Sequence, residues 1–332
     1  MIEVRACARL HLGLLDNNGE QGRAYGSIGL AVDHPQLVLK AEEADGLQVA
    51  GIETERVAAC AQRFIRHSGL PARARLTLSS SIPAHVGLGS GTQIALAVGT
   101  ALARLAGSRL RTRDIALALG RGLHSGVGIS AFQHGGFVLD GGRRILSGPD
   151  DASATAGHAR QIDTDGTPPI LFRHAVPKTW FFVVAIPEAG QGISGEREAQ
   201  ALTRLPPAPS ALVEKISRLL LMKMLPALVE KDIANFGQAL TDIQRLVGDC
   251  FAPVQGGRYA TPLVETLVGF LLDRGAAGAG QSSWGPTVYG LVHGKARART
   301  LAREARLYLE DLGGGEVFCV QPQNRGAQVR RL

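Results

Sequence analysis

The sequence has few aromatic side chains and no long apolar run. Phe, Trp and Tyr make up 5% of its 332 residues. No stretch reaches about 18 consecutive apolar residues, the length that a membrane-spanning helix needs. The first residues, MIEVRACARL, lack the apolar centre of a secretory signal. We therefore expect a cytoplasmic protein with no membrane partner.

Cysteine is scarce, and the charge is only moderately unbalanced. The four cysteines form no C-x-x-C pair, which excludes a zinc signature and a disulfide framework. Lys and Arg number 36 against 29 Asp and Glu, and the net charge of +7 is spread along the chain. Without a basic tail or a reader motif we expect no nucleic-acid partner. A small acidic ligand suits this charge better.

Apolar residues make up 45% of the chain, enough for one large domain or two of ordinary size. In the first half, residue patterns predict strands over Ile2–Leu14, Ser27–Ala41, Ala74–Ser79 and Trp180–Ile186, and helices over Thr54–Ser68, Ile94–Leu105 and Thr112–Gly122. The polar stretch Gly148–Pro169 is predicted to be a surface excursion.

The second half is predicted to be richer in helices. The patterns predict helices over Ser210–Leu225, Pro226–Val247, Thr261–Arg274 and Ala296–Leu312, a glycine-rich turn over Gly275–Gly280, strands over Thr287–Val292 and Glu316–Gln321, and a solvated tail over Arg325–Arg331. The change of character near Gly190 predicts two domains, 1–190 and 191–332.

The loop GLGSGTQ lies between a predicted strand and a predicted helix. Its backbone N–H groups can converge on an anion, and the helix dipole adds about 0.3–1 kcal/mol of attraction. The candidate phosphate-binding residues are Gly87, Leu88, Gly89, Ser90, Gly91, Thr92 and Gln93. The alternative is a tight turn that needs glycine sterically. The lysine of a P-loop and the spacing of a dinucleotide fingerprint are both missing.

Two further glycine-rich segments carry polar side chains. GAAGAGQSSWGPTVYG brings the candidates Gln281, Ser282, Ser283 and Trp284, and GRGLHSG brings Arg121, His124 and Ser125. The alternatives are a hairpin-like turn with Trp284 in the core, and capping or surface roles for the others. If the three glycine-rich segments meet in space, they form one cleft.

The first predicted strand and the start of the second add charged candidates. Arg9, His11 and Arg23 are either outward strand residues or clamps for a carboxylate or phosphate, since guanidinium binds such groups with two hydrogen bonds. His85 beside the loop is as consistent with a structural role as with binding. Glu196 is either a metal or ribose contact or a carboxylate at a helix start.

These motifs resemble a known family. PAHVGLGSGT resembles the phosphate-binding motif of the GHMP kinase superfamily, P-x-x-x-G-L-G-S-S-A, and Gly278–Ser283 looks like its third motif. RLHLGLLD, GRAYGSIGLAV, GLGSGTQ, SGVGISAF with GGFVLDGG, and GQSSWGPTVYG together resemble the β-ribofuranosylaminobenzene 5′-phosphate synthase family. The resemblance runs from Arg9 to Gly290. It implies an α+β fold with a ribosomal-protein-like N-terminal domain containing a left-handed βαβ unit, and a ferredoxin-like C-terminal domain.

The sequence departs from the kinases of that superfamily at two places. Gly126–Phe132 contains no carboxylate where the kinases mostly carry a catalytic aspartate, and Gly91 stands where they often have a serine that binds magnesium. A small-molecule kinase, or a diphosphomevalonate-type decarboxylase, would need a carboxylate brought to the loop from elsewhere in the chain. A binding protein without catalytic activity is the third alternative.

The narrower resemblance implies a glycosyltransferase of tetrahydromethanopterin biosynthesis. It would condense phosphoribosyl pyrophosphate with 4-aminobenzoate or 4-hydroxybenzoate and release CO2 and pyrophosphate. On this hypothesis the loop holds the pyrophosphate with Mg²⁺, and Arg23, Arg121 and His124 are the catalytic candidates that orient a second anion. Arg9, His11, Ser125 and the residues from Gln281 to Trp284 line the substrates. The sequence assigns no metal ligands, and a homodimer is compatible with it.

Overall fold

The fold consists of two β-sheets and the helices that cover them. The computed structural model describes residues 1–146, 162–188, 192 and 196–332, with the backbone only at 196 and 199. Most of the predicted surface excursion, Gly148–Pro169, therefore lies outside the described residues. Among the residues that are described, no helix is both long enough and apolar enough to cross a membrane.

Strands of both halves of the chain share the larger sheet. It contains β1 (Ile2–Asp16), β2 (Arg23–Glu42), β3 (Leu47–Gly51), β4 (Ala74–Ser80), β5 (Phe137–Asp140), β6 (Arg143–Arg144), β7 (Ile170–His174) and β12 (Gln328–Arg331). Its main path runs β12-β1-β2-β4-β3; β3 and β4 are parallel, and the other neighbours on this path are antiparallel. The smaller, antiparallel sheet has the order β11-β8-β10-β9, formed by β8 (Trp180–Pro187), β9 (Gly278–Gln281), β10 (Val288–His293) and β11 (Gly315–Val320).

The helices lie between and around these strands. Within the described ranges they are α1 (Thr54–Ser68), α2 (Ser90–Leu105), α3 (Thr112–Ala118), α4 (Val127–Gln133), α5 (Glu196–Arg204), α6 (Ser210–Leu219), α7 (Leu225–Glu230), α8 (Ile233–Gln255), α9 (Pro262–Asp273) and α10 (Lys295–Glu310). A π-helical turn, Leu220–Met224, joins α6 to α7. The predicted helix Thr54–Ser68 is confirmed at both ends, because a clear apolar face and Gly69 in the left-handed region define it.

The main hydrophobic core joins the two halves of the sequence. Phe236 and Ile243 of α8 belong to the same buried cluster as Leu10 of β1 and Ile28 of β2. A second cluster fills the space between the smaller sheet and the helices α9 and α10. Because α8 packs on the first sheet, residues far apart in sequence can meet along its N-terminal strands. The domain boundary at 190/191 stays a prediction.

One predicted helix of the second half is divided into two helices. The predicted helix Pro226–Val247 is interrupted, because Lys231 adopts a left-handed φ of 63°. Asp232 then starts α8 by accepting a hydrogen bond from the backbone N of Asn235 at 3.0 Å. The helical spacing of apolar residues continues across this break. For that reason the sequence pattern did not reveal Asp232 as the N-cap of a new helix.

In three glycine-rich or charged segments the sequence analysis missed a helix or strand that the structure contains. The predicted turn Gly275–Gly280 contains the start of β9, and the predicted tail Arg325–Arg331 ends in β12, whose exposed residues pair with β1. Helix α4 and strand β5 lie within Gly120–Gly142. Pairing with distant strands satisfies the backbone groups of β5, β9 and β12, and no local pattern reports such pairing.

Candidate active site

The loop that begins α2 is tied to the second glycine-rich segment. Gly87 and Gly89 have φ values of 87° and 85°, in the left-handed region. Ser282 Oγ donates a hydrogen bond to the Gly87 carbonyl at 2.7 Å, and a Cβ on Gly87 would collide with the Ser282 carbonyl oxygen. Gly87 therefore allows two segments almost 200 residues apart to touch (|i−j| = 195).

Three arginines from different elements surround this loop. Arg9 of β1, Arg56 of α1 and Arg121 after α3 line a cavity of about 280 Å³ together with His85, Gly87, Gly89, Ser90, Gly91, Thr92, Glu198 and Ser283. Arg9 donates to the Gly87 carbonyl, and Arg56 donates to Ser90 Oγ at 3.2 Å. Guanidinium groups at the N-terminal end of a helix form a strong site for phosphate groups. We call this cavity the anion cradle.

A second cavity, of about 60 Å³, has mainly apolar walls. Its apolar lining residues are Leu14, Leu202, Val247, Phe251, Tyr259 and Trp284. The Trp284 ring is 5% exposed and stands edge-on to Phe251, with ring centroids 4.7 Å apart. Aromatic walls of this kind suit a flat apolar ring. We call it the apolar cavity.

The two cavities adjoin each other at Glu198 and Ser283, which line both of them. Glu198 Oε1 accepts a hydrogen bond from Trp284 Nε1 at 3.2 Å. Burial raises the pKa of the Glu198 carboxyl, whereas the positive charge of Arg9 and the Trp284 hydrogen bond act to lower it. Burial also lowers the pKa of Arg9 to about 10, so its guanidinium stays charged at neutral pH. The charges of Glu198 and Arg9 thus attract each other near the place where the cavities meet.

The two histidines of the apolar cavity are uncharged at neutral pH. Burial, and then the positive charge of Arg9, lower the pKa of His11 to about 3. The backbone N of His11 donates to Ser282 Oγ at 3.0 Å, and its carbonyl accepts from the backbone N of Ser283 at 3.2 Å. Burial, and then the charge of Arg143, lower the pKa of His124. These imidazoles therefore offer hydrogen bonds, not positive charge.

Most of the residues predicted from sequence lie on one of the two cavities. The anion cradle contains Arg9, Gly87, Gly89, Ser90, Gly91, Thr92, Arg121 and Ser283. The apolar cavity contains His11, His124, Ser125, Gln281, Ser283 and Trp284. The three glycine-rich segments thus meet around one cleft.

Four predicted residues lie beside this cleft, in the structure that supports it. Arg23 donates to the carbonyls of Gly141 and Gly142 at 2.7 and 2.9 Å. Gln93 is fully buried and donates to the Gly128 carbonyl at 2.9 Å, Leu88 is part of the core, and Ser282 is held by the bonds already described. Their predicted binding roles stay predictions. The side chain of Glu196 lies outside the described residues.

Among the charged residues that line the cleft, the sequence analysis missed Arg56, Glu198 and Arg258. Arg56 is one of several polar residues on an amphipathic helix, and nothing in the helical pattern distinguishes it. Glu198 follows the predicted candidate Glu196 by two residues, and only the packing of α5 beside Trp284 brings it to the cleft. The signal that could have found Glu198 is the carboxylate-rich sequence GEREAQ next to a predicted site.

The donor set of the cleft is poor in metal ligands. The described residues contain no group of three or more His, Cys, Asp or Glu side chains that could hold a metal ion. Glu198 supplies the one carboxylate among the described residues that line the anion cradle. Magnesium is commonly held by one or two carboxylates together with substrate phosphates. These residues fit a Mg²⁺ that arrives with a phosphorylated substrate, and they do not fit a cage made by the protein alone.

The comparisons with known proteins agree with this architecture. The family described as GHMP kinases N terminal domain matches residues 55–136, and GHMP kinases C terminal matches residues 224–311. Homoserine kinase from Cytophaga hutchinsonii has a similar structure, with a TM-score of 0.66 and 16% identity over 99% of this chain and 97% of that one. Mevalonate pyrophosphate decarboxylase from Streptococcus pyogenes gives 0.64 and 15% over 98% and 97%. The predicted α+β GHMP kinase fold is confirmed.

Three curated relatives match almost the whole chain. Each is named β-ribofuranosylphenol 5′-phosphate synthase. The protein of Methanothermobacter thermautotrophicus is 34% identical over 98% of this chain and 97% of its own length. The protein of Archaeoglobus fulgidus is 36% identical over 99% of each, and that of Methanocaldococcus jannaschii is 33% identical over 98% and 99%. The identities and coverage are those of members of one family.

Proposed function

The chain belongs to the β-ribofuranosylphenol 5′-phosphate synthase family of the GHMP kinase superfamily, and on that premise we propose that it transfers ribose 5-phosphate from phosphoribosyl pyrophosphate to a 4-substituted benzoate, with release of CO2 and pyrophosphate. The observation that carries this proposal is that a cationic cradle adjoins an apolar cavity. A reaction between a diphosphate and an aromatic ring needs these two environments side by side.

The anion cradle suits the diphosphate of the donor. When the bond between ribose C1′ and the diphosphate oxygen breaks, the electron pair leaves with the oxygen and negative charge accumulates there. The guanidinium groups of Arg9, Arg56 and Arg121 and the N-terminal end of α2 lie where they can neutralise that charge. Stabilising the leaving group in this way lowers the barrier without any proton transfer.

The lining of the apolar cavity suits the ring of the acceptor, and because its volume of about 60 Å³ is smaller than a benzoate ring, its walls must move apart when the ring binds. The ring carbon that bears the carboxylate supplies the electron pair for the new bond to C1′, and the bond to the carboxylate then breaks, returning its electrons to the ring as CO2 leaves. Neutral His11 and the aromatic walls make a poor solvent for a carboxylate anion, so they favour its loss as neutral CO2. Holding both reactants in the correct orientation lowers the activation barrier further.

The proposal includes Mg²⁺ bound to the diphosphate of the donor. When bound, the ion would neutralise part of the charge on the leaving diphosphate. The oxygens of the diphosphate would hold the ion, while the three arginines supply most of the positive charge from the protein. We further propose a cytoplasmic enzyme of tetrahydromethanopterin biosynthesis. The homodimer and the absence of a nucleic-acid partner stay predictions.

A second candidate function, a kinase that uses ATP, is favoured by one observation. Glu198 comes from another part of the chain and lies beside the loop, where a kinase would need a base. The apolar cavity next to it is less suited to an alcohol substrate than to a ring, since Phe251, Tyr259 and Trp284 form its walls. The synthase therefore remains the better supported function.

The test is a two-substrate assay with the purified chain and Mg²⁺. Phosphoribosyl pyrophosphate is supplied with 4-hydroxybenzoate or with 4-aminobenzoate, and pyrophosphate, CO2 and the mass of the ribosylated product are measured. We expect stoichiometric release of both small products with at least one benzoate. A parallel reaction with ATP and an alcohol such as homoserine or mevalonate is expected to yield no ADP. No turnover with either benzoate by a folded protein would overturn the proposal.

A further inference from the structure

We propose that Glu198 is a catalytic residue whose carboxylate stabilises the positive charge that develops on the ribose while the diphosphate departs. This inference rests on the proposed function. No covalent bond to Glu198 forms, and no proton moves to it. The bond between C1′ and the diphosphate oxygen breaks with its electron pair on the oxygen, and the electron-poor carbon faces the carboxylate until the ring attacks it.

The position of Glu198 between the cavities is the first argument. With the diphosphate in the anion cradle and the ring in the apolar cavity, the carbon that is transferred must lie where the cavities meet. Glu198 and Ser283 are the residues common to both linings among those that the structure describes, and Glu198 is the charged member of the pair. The carboxylate thus lies where the ribose must be held.

The order of charges along the cleft is the second argument. Bond cleavage separates a negative diphosphate from a positive ribose. Arg9 hydrogen-bonds to the Gly87 carbonyl of the cradle and so lies on the side of the diphosphate. Glu198 is attracted electrostatically by Arg9 and also lines the apolar cavity. The protein therefore offers a cation and an anion in the same order as the charges of the transition state.

The hydrogen bond from Trp284 is the third argument. Trp284 Nε1 donates to Glu198 Oε1 at 3.2 Å, and the indole is itself fixed against Phe251. This donor orients the carboxylate and leaves its second oxygen for another partner. A charge held in a fixed position needs no reorganisation during the reaction, which is the condition for large electrostatic effects.

The experiment compares Glu198→Gln with the wild-type enzyme in two measurements. The first is kcat with phosphoribosyl pyrophosphate and the accepted benzoate. The second is the affinity for inorganic pyrophosphate with Mg²⁺, measured by calorimetry. Glutamine keeps the shape and an acceptor for Trp284 but removes the charge. We expect kcat to fall about 10²-fold or more, while pyrophosphate binds as tightly as before or more tightly, because a like charge has gone.

Three further variants separate this role from others. Glu198→Asp keeps the charge and should recover part of the lost kcat. Trp284→Phe keeps the charge but removes the hydrogen bond, and should lose much less kcat than Glu198→Gln. Glu42→Gln is the matched control: it makes the same chemical change in an exposed carboxylate that pairs with Arg75 at 3.5 Å, and should leave both measurements unchanged.

The outcomes that overturn the inference are distinct. Unchanged kcat in Glu198→Gln would remove the catalytic role. A parallel loss of kcat and of pyrophosphate affinity would show that Glu198 organises the cradle or the metal, not the ribose. A larger loss in Trp284→Phe than in Glu198→Gln would show that the Trp284 indole, and not the charge of Glu198, supports the reaction. Absence of turnover in the wild-type enzyme would overturn the proposed function itself, and this inference with it.

Discussion

Gly89 lies against the Arg9 side chain. A Cβ placed on Gly89 would be 3.1 Å from Arg9 Cγ and 3.2 Å from Arg9 Nε. Gly89 is also the N-cap residue of α2, with a φ of 85°. The place of the Arg9 guanidinium in the anion cradle therefore depends on a missing side chain in a distant loop.

The substitution Gly89→Ala should weaken anion binding through this contact. The new methyl group requires Arg9 to shift by a few tenths of an ångström. We therefore expect the affinity for pyrophosphate to fall by up to about tenfold, because a charged hydrogen bond is weakened. The left-handed φ should also cost about 1–2 kcal/mol of stability. The control is Gly107→Ala, since Gly107 has a φ of 74° and no atom within 4 Å of its added Cβ. Equal pyrophosphate affinity in the two variants would contradict the role of Gly89.

The substitutions Arg56→Ala and Arg121→Ala should each weaken the donor site. Both side chains face Gly91, where an added Cβ would lie 3.6 Å from Arg56 Nη2 and 3.5 Å from Arg121 Nη1. A charge-assisted hydrogen bond contributes about 1.5–3 kcal/mol, so we expect the Kd of pyrophosphate to rise about 10- to 100-fold in each variant. The exposed Arg75, changed to Ala, serves as a control for net charge. A similar rise in Arg75→Ala would show that only the overall charge matters.

The substitution Arg23→Ala should affect stability more than binding. Its guanidinium holds two carbonyls of the turn between β5 and β6, at Gly141 and Gly142. We expect the free energy of unfolding, measured by urea titration, to fall by about 1–3 kcal/mol. The free energy of pyrophosphate binding should change by less than about half of that amount. If the affinity falls as far as in Arg121→Ala, Arg23 binds an anion, as the sequence analysis predicted.

His11, which is partly buried in the cleft, should make the protein less stable in mild acid. Its pKa of about 3 in the folded state is below the ordinary value of about 6.5 that it regains on unfolding. The unfolded chain therefore binds the extra proton between about pH 6.5 and pH 3, and stability falls as the pH decreases through this window. Measured by urea titration at pH 7.5 and 5.0, His11→Asn should lose less stability than the wild type. Equal losses would mean that His11 is not buried in its neutral form.

The sequence patterns correctly predicted those helices and strands whose apolar and polar residues alternate according to which side is buried. α1 has its predicted ends because an apolar face, a charged face and Gly69 lie within one short segment. β12, in contrast, consists of exposed residues and exists because β1 offers an open edge. A strand whose stability comes from a distant partner leaves no apolar alternation, so the sequence analysis described it as a tail.

The same distinction holds for the cleft. Gly87, Gly89 and Gly91 indicated an anion site because they leave backbone N–H groups uncovered before a helix, with a sterically tight turn as the alternative. Arg56 and Glu198 left no comparable signal: a charged residue on an amphipathic helix is usually solvated. The packing of α1 and α5 against the loop made them part of the site.

The sequence by itself indicated the candidate phosphate loop, the family resemblance, the missing carboxylate near Ser130 and the α+β fold class, because each depends on residues close together or on a recurring motif. Tertiary structure alone decided which charges meet. It brought Arg9, Arg56 and Arg121 to one cavity, directed Arg23 to backbone carbonyls, and set Glu198 between the cradle and the apolar cavity. Coulomb interactions depend on distance in space, and that distance exists only after the chain has folded.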